Sequence, residues 1–159
     1  MFKPRVYVET TIPNAYYERR IDPALADRRR LTRDWWETAS DEYDLVTGAP
    51  VLEELLAGST PRVNHRLRLV GALPFLIPDS AVDETVRVYL RHKLMPAKPS
   101  ADAEHLALAS HHRCDFIVSW NCKHLANPNK ARHVRQINTM LGLYVPAIVT
   151  PQDLLGRTE

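Results

Sequence analysis

Five short apolar segments recur along the chain, and stretches with helical spacing separate them. The first is RVYVE at 5–9, where β-branched and aromatic residues alternate. The others are DLVTG at 44–48, FLIP at 75–78, DFIVS at 115–119 and AIVT at 147–150. Segments of this length and composition are typical of β-strands. Strands that alternate with helices predict a parallel sheet covered by helices on both faces, which is an α/β fold.

The intervening stretches carry the start and stop signals of helices. Pro13 and Pro50 stand at early helical positions, and Gly58 ends the helix that Pro50 opens. We expect Ser100 to cap the helix that precedes DFIVS. The predicted helices cover residues 10–20, 23–43, 50–58, 62–73, 79–93, 101–113 and 130–142, and PQDLLG at 151–156 is predicted to form a turn.

Length and composition predict one soluble domain over residues 1–159. The chain is long enough for one core of ordinary size, with 45% apolar and 25% charged residues. A net charge of +2 permits nucleic-acid binding without predicting it. No basic leader opens the chain, and no apolar stretch approaches the roughly 18 residues of a membrane helix. Cys114 and Cys122 are too few for a disulfide framework, so we expect a cytoplasmic protein with no membrane association.

Acidic and amide side chains cluster where the predicted strands end. In chain order they are Glu9 after the first strand, Glu53 and Glu54 in the helix after the second, Asp102 in the helix before the fourth, and Asn121 after the fourth. Ligands of parallel sheets bind beyond the carboxyl ends of the strands. Carboxylates brought together repel each other, and a hard cation such as Mg²⁺ or Mn²⁺ relieves the repulsion. Such a metal also activates water and neutralises charge on a phosphodiester.

In four segments the chain resembles the PIN-domain family, and in particular VapC-like toxins of bacterial toxin–antitoxin pairs. They are VYVETTIPNAY at 6–16, VLEELLAG at 51–58, DAEHLALASHHRCDFIVSWNCKHL at 102–125 and AIVTPQDLL at 147–155, in the family's order. The resemblance implies a three-layer α/β/α sandwich with a central, mainly parallel sheet. It also implies a Mg²⁺- or Mn²⁺-dependent ribonuclease acting on RNA, a homodimer, and inhibition by a cognate antitoxin protein.

The resemblance assigns site residues by position. Glu9 stands where the family usually has its first aspartate, Glu54 matches the helical glutamate, and Asp102 opens the alanine-rich helix. Asn121 stands where the family has a further aspartate, so an oxygen ligand is kept and a charge is lost. The resemblance therefore implies catalysis by Glu9, Glu54, Asp102 and Asn121, and one metal ion held by Glu9, Asp102 and Asn121.

Smaller features leave alternatives open. Thr10 and Ser119 are expected to tune the site by hydrogen bonds to the carboxylates. Helical periodicity does not choose between Glu53 and Glu54, and only the resemblance favours Glu54. His105, one turn after Asp102, either touches the site or packs in the core.

Three further groups of residues also allow two interpretations each. Cys122-x-His124 lacks the cysteine spacing of a structural zinc site, which argues against zinc. The arginines of DRRRLTR at 27–33 form a solvated helix face or a place for RNA phosphates. Trp35 and Trp36 either cover the core or face a second subunit.

Two other functions compete with a ribonuclease at this stage. Because Asn121 replaces an acid, the domain is alternatively a catalytically weakened PIN-like domain that binds RNA or a protein partner. An unrelated nucleotide-binding α/β domain is the more distant alternative. The chain has neither the Gly-x-Gly-x-x-Gly nor the Gly-Lys-Ser/Thr pattern that phosphate-binding loops use, which argues against that alternative.

Overall fold

A central parallel sheet organises the molecule. The structure, a computed structural model, describes residues 2–58, 62–96, 101–121, 125 and 127–157. Within them the strands are β1 (Arg5–Val8), β2 (Asp44–Gly48), β3 (Phe75–Leu76), β4 (Phe116–Val118) and β5 (Ala147–Val149). All neighbouring pairs are parallel, and the order is β3-β2-β1-β4-β5. The predicted α/β class with a parallel sheet is confirmed.

The first strand lies in the middle of the sheet. Tyr7 pairs with Val46 of β2 on one side and with Ile117 of β4 on the other. Val6, Tyr7 and Val8 are completely buried. Residues that leave the carboxyl ends of β1, β2 and β4 therefore emerge side by side, which is how the topology forms a site.

Helices flank the sheet and complete the three-layer sandwich. They are α1 (Thr11–Tyr16), α2 (Pro23–Glu42), α3 (Ala49–Ala57), α4 (Val63–Gly71), α5 (Ser80–Arg91), α6 (Ala101–His111), α7 (Pro128–Leu141) and α8 (Pro151–Gly156). α2 packs against α1 and α8, whereas α6 packs against α3 and α5. Most residues of α6 are buried, so its side chains face their neighbours all round the helix.

The predicted helices are confirmed, with differences at their ends. PQDLLG is a short helix and the prediction of a turn is wrong, because Thr150 and Asp153 form a reciprocal capping box that starts α8. α7 begins at Pro128 rather than residue 130, since the Asn127 side chain accepts a hydrogen bond from the Asn129 amide. The predicted cap Ser100 lies outside the described residues.

The two tryptophans of α2 cover the core. Trp35 is 1% exposed, and the half-buried Trp36 packs against the same core with its ring centroid 6.0 Å from that of Trp35. Of their two interpretations, packing in the core is thus the one that the structure supports. None of the helices in the described ranges has the length and apolar character required to cross a membrane.

Candidate active site

The predicted site residues gather at the carboxyl edge of the sheet. Glu9 and Thr10 follow β1, Glu54 projects from α3, Asp102 lies in the first turn of α6, and Ser119 and Asn121 follow β4. Hereafter the acidic edge means Glu9, Glu54, Asp102 and Asn121. Glu9 is 3% exposed and Asp102 6% exposed, so charges that would ordinarily be solvated are held here away from water.

Glu9 is fixed by donors from two chain segments. Its Oε1 accepts a hydrogen bond from the Thr11 amide at 2.8 Å, and its Oε2 accepts from the hydroxyls of Thr11 at 3.0 Å and Ser119 at 2.7 Å. Burial raises the pKa of Glu9, and the charge of His105 and these hydrogen bonds offset part of the rise. Ser119 thus bonds a carboxylate as the sequence analysis expects, although its role in catalysis stays a prediction.

Glu54, not Glu53, belongs to the acidic edge. Glu53 is exposed, whereas Glu54 is half-buried. The Glu54 Oε1 accepts from the Thr10 hydroxyl at 2.5 Å and lies 2.7 Å from Nε2 of His105. Burial would raise the pKa of Glu54, but the hydrogen bond and charge of His105, together with Thr10, lower it overall. The side-chain hydrogen bonds of Glu54 within the described residues both fall on Oε1, and the side chain is 35% exposed.

Asp102 and Asn121 lie in contact with each other. The Asn121 side-chain amide donates to Oδ1 of Asp102 at 3.3 Å, and the Asn121 backbone amide donates to the Ser119 hydroxyl at 2.9 Å. Because Ser119 also bonds Glu9, one set of contacts connects Glu9 with Asp102 across the ends of β1 and β4. The structure therefore brings all four predicted site residues to one place.

His105 is the residue whose role the sequence left open, and the structure places it in the site. Its ring is completely buried, with Nδ1 2.7 Å from the Tyr7 hydroxyl and Nε2 2.7 Å from Glu54. Burial would lower the pKa of His105, but the hydrogen bond to Glu54 and the charges of Glu9, Glu54 and Asp102 raise it overall.

Tyr7 and Thr11 were missed by the sequence analysis. Tyr7 precedes Glu9 by two positions, and the two-residue alternation of strands places such residues on one side of a sheet. Thr11 holds Glu9 by its amide and its hydroxyl, and the hydroxyl also accepts from the Trp120 amide at 2.8 Å. The spacing of strand residues gave a usable signal for Tyr7, but a threonine two positions after a glutamate gave none for Thr11.

The donor atoms of the acidic edge fit an open site for a hard cation. Among the described residues, no three His, Cys, Asp or Glu side chains are grouped closely enough to hold a metal ion. Mg²⁺ commonly takes only one or two carboxylates and keeps several waters, which a substrate phosphate can replace. The amide of Asn121 is a further ligand of the right chemistry if its oxygen is turned inward. A site enclosed by three carboxylates does not fit.

Among the cysteines and histidines within the described residues, Cys114 and His111 do not support a zinc site. Cys114 is buried, and burial raises the pKa of its thiol to about 12, so the thiol is not a ready metal ligand. His111 bonds the Thr85 hydroxyl through Nε2 at 2.8 Å. Cys122 and His124 lie outside the described residues.

Arginines line the surface beside the acidic edge. Arg28 of α2 lies over the Trp120 ring, 5.3 Å from its centroid, and both line a cavity of about 170 Å³ together with Asn14 and Arg20. A second cavity, of about 260 Å³, is lined by Asn14, Arg20 and Glu54, among others. The two cavities adjoin, because Asn14, Glu18 and Arg20 line both, and together they are called the groove; Glu54 lines one cavity and Trp120 the other.

Two solved structures share this architecture. A chain of a toxin–antitoxin complex from Klebsiella pneumoniae has a TM-score of 0.54 at 17% identity, covering 79% of this chain and 93% of that chain. A chain of VapBC2 from Rickettsia felis, bound to a DNA fragment from their promoter, has a TM-score of 0.54 at 12% identity, covering 92% of this chain and 98% of that chain. The fold is PIN-like. The resemblance inferred from the sequence is confirmed as a similarity of fold.

The PIN-like fold is established by structure and not by sequence similarity. No protein-family model matches the chain, and no curated protein matches it significantly. At 12–17% identity the similarity concerns the backbone arrangement, so the chemistry has to be argued from the residues of this chain.

Proposed function

We propose that the protein is a Mg²⁺- or Mn²⁺-dependent endoribonuclease that acts as the toxin of a toxin–antitoxin pair. One observation carries the proposal: Glu9, Glu54, Asp102 and Asn121 meet at the carboxyl edge of a PIN-like sheet. Burial of carboxylates carries a desolvation cost, which a cation bound at this edge would offset. Oxygen donors at this edge are suited to phosphodiester hydrolysis.

In this proposal the acidic edge divides the work between its members. Glu9, Asp102 and Asn121 would hold the metal ion, which would neutralise phosphate charge and lower the pKa of water. Thr11 and Ser119 keep the Glu9 carboxylate in one orientation through their hydrogen bonds. Glu54, with Oε1 occupied and part of the side chain exposed, orients the attacking water through Oε2.

The groove beside the acidic edge would receive the RNA. Arg20 and Arg28 line it, and guanidinium groups are suited to the phosphates of a polynucleotide backbone. Part of the positive charge is already neutralised, because Arg20 pairs with Glu18 at 2.7 Å. The proposal therefore requires a moderate, salt-sensitive affinity rather than a tight one.

Two partners complete the proposal. An antitoxin protein is suggested by the structural neighbours, which are chains of a toxin–antitoxin complex and of VapBC2. A homodimer is suggested by the family resemblance of the sequence. Both can be tested on the purified protein, by its mass in solution and by whether the protein of an adjacent reading frame suppresses its activity.

The deciding experiment is metal-dependent cleavage of RNA by the wild-type protein and by Asp102→Asn. Wild type should cleave with Mn²⁺ or Mg²⁺ and stop in EDTA, and Asp102→Asn should lose about 100-fold or more, as loss of a group central to the transition state does. Asp83→Asn is the matched control, because Asp83 is an exposed acid in the first turn of α5. Equal cleavage by Asp102→Asn and wild type would refute the proposal.

A second function is favoured by one observation, the amide of Asn121 in contact with Asp102. In a catalytically weakened PIN-like domain this amide would replace a metal ligand by a hydrogen-bond donor, and the domain would bind RNA or a protein partner. Calorimetric titration with Mn²⁺ separates the two functions. Under the weakened-domain function, Asn121→Asp creates cleavage or tightens Mn²⁺ binding relative to wild type, and no change in either quantity contradicts it.

A further inference from the structure

We propose that Tyr7 and His105 are positioning residues that hold Glu54 in its productive orientation through a buried hydrogen-bonded chain. The inference rests on the proposed function, because it assigns these two residues to the reaction at the acidic edge. The Tyr7 hydroxyl, the His105 imidazole and the Glu54 carboxylate form the Tyr7–His105–Glu54 chain. Neither Tyr7 nor His105 touches the substrate groove, since both are completely buried.

Both ring nitrogens of His105 have a hydrogen-bond partner in this chain. Nδ1 of His105 lies 2.7 Å from the Tyr7 hydroxyl and Nε2 lies 2.7 Å from Oε1 of Glu54. These are short hydrogen bonds, and they fix both the position and the rotation of the imidazole. A histidine that only packed in the core could satisfy both nitrogens with neutral groups, whereas Nε2 of His105 contacts a carboxylate of the acidic edge.

The anchor of the chain is the central strand of the sheet. Tyr7 lies in β1, between β2 and β4, so its backbone is held by ladders on both sides. His105 lies in α6 among buried residues. Glu54, by contrast, lies on α3 with a partly exposed side chain. The chain therefore connects the centre of the sheet to Glu54, which is more exposed than Glu9 and Asp102.

Gly48 supplies an independent observation for the same chain. It is the last residue of β2, and a Cβ atom at this position would collide with the Tyr7 hydroxyl and lie 2.9 Å from Cδ1 of Leu108. The end of β2 thus leaves room for the hydroxyl that bonds His105. Glycine is required at this place for its lack of a side chain, since its backbone is extended.

For the reaction, the consequence is that the two oxygens of the Glu54 carboxylate have different roles. Thr10 and His105 both occupy Oε1, which fixes the carboxylate plane and leaves Oε2 for the attacking water. Removing the Tyr7 hydroxyl frees the imidazole to rotate and lets Glu54 sample other orientations. A looser carboxylate reduces the rate of the chemical step and leaves RNA binding in the groove unchanged.

The test compares Tyr7→Phe with Tyr89→Phe. Both tyrosines are completely buried, and the Tyr89 hydroxyl donates to Oδ1 of Asn138 at 2.6 Å and to the Ser110 hydroxyl at 3.4 Å, neither of which belongs to the Tyr7–His105–Glu54 chain. Tyr7→Phe should lower kcat by about 10- to 100-fold with KM unchanged, the usual effect of losing such a supporting hydrogen bond. Tyr89→Phe should lose comparable thermal stability and keep kcat. Equal kcat in the two variants overturns the proposal.

Two further measurements keep the outcome decisive. His105→Gln, whose amide can still donate toward Glu54, should retain more activity than His105→Ala at equal folded fraction, and equal loss counts against positioning. If the wild-type protein cleaves no RNA, the proposed function fails. The Tyr7–His105–Glu54 chain is then tested by itself, by ¹⁵N NMR of the His105 ring. Both ring resonances should shift in Tyr7→Phe and in Glu54→Gln but not in Tyr89→Phe, and unshifted resonances overturn it.

Discussion

Buried polar side chains near the acidic edge are each matched to a partner from another segment. Glu9 is held by Thr11 and Ser119, Glu54 by Thr10 and His105, and Trp120 donates its ring N–H to the Thr32 hydroxyl at 2.8 Å. An unpartnered group in such a position costs about 1–3 kcal/mol. At the scale of single residues, the site therefore owes its geometry to hydroxyl-bearing residues, of which Thr10 and Ser119 were expected from the sequence and Thr11 was not.

The buried thiol of Cys114 gives a prediction at this scale. Because burial raises its pKa to about 12, the thiol stays almost entirely protonated at neutral and mildly alkaline pH in the folded protein, and only the thiolate reacts. In a Cys122→Ser background, we expect Cys114 to resist thiol reagents at pH 8 and to react once urea unfolds the chain. Rapid labelling of the folded protein at pH 8 would contradict the burial on which the expectation depends.

The conformation of the residue that follows a helix can end that helix, as Gly142 does after α7. Gly142 follows α7 with φ +71°, and Leu143 donates its amide back to the Asn138 carbonyl at 2.8 Å. This left-handed conformation strains any residue with a Cβ. At the element scale, a single glycine thus ends the helix and directs the chain toward β5.

Replacing Gly142 by alanine should lower the free energy of unfolding by about 1–2 kcal/mol, the cost of a Cβ in the left-handed region. No atom lies within 4 Å of the Cβ that alanine would add, so the loss arises from the backbone alone. Gly71→Ala is the matched control, because an added Cβ would also meet no atom within 4 Å there and the φ of Gly71 lies outside the left-handed region. Urea denaturation measures both, and an equal effect at the two glycines would exclude the conformational cause.

The arginines of α2 give a second prediction for an element. Arg28→Ala should weaken binding of single-stranded RNA severalfold and reduce the salt dependence by about one phosphate contact, because Arg28 lines the groove. Arg30→Ala is the control, since Arg30 is exposed and pairs with Asp27 and Asp34 of its own helix. Fluorescence anisotropy in EDTA measures binding without cleavage. Equal weakening in the two variants would mean that the charge of α2 acts without regard to position.

The acidic edge joins elements that are distant along the chain. Glu9 follows β1, Glu54 lies on α3, Asp102 on α6, and Asn121 follows β4, so the repulsion between their carboxylates acts on the whole domain. A cation that binds there stabilises the folded state by mass action. At the scale of the molecule, the site and the stability of the fold are therefore coupled.

Mn²⁺ should accordingly raise the thermal midpoint of unfolding. At a free concentration one hundred times its Kd, it adds about 2.7 kcal/mol to the free energy of unfolding. EDTA should reverse the shift, and Asp102→Ala should abolish it because a ligand and a charge are lost. Asp83→Ala should keep the shift, since that exposed residue lies on α5. Differential scanning fluorimetry measures all four conditions, and an equal shift in Asp102→Ala would place the cation elsewhere.

The sequence by itself determined the succession of strands and helices along the chain and the class of fold. Each of these rests on local periodicity and on nearby prolines and glycines, which act within a few residues. The same local pattern, with the family resemblance, placed Glu9, Asp102 and Asn121 at strand and helix ends. The helix at 151–156 was missed, because a capping box on a single turn resembles a turn in the sequence.

Only the tertiary structure decided which side chains contact one another at the site. Tyr7 and His105 are 98 positions apart, and Glu54 and His105 are 51 apart, so no local pattern relates them. The resemblance favoured Glu54 over Glu53, but periodicity places both equally far from the apolar face of α3, and the contacts with Thr10 and His105 are what separate them in the structure. Local chemistry fixes elements, and packing between distant segments fixes the contacts that would carry out the chemistry.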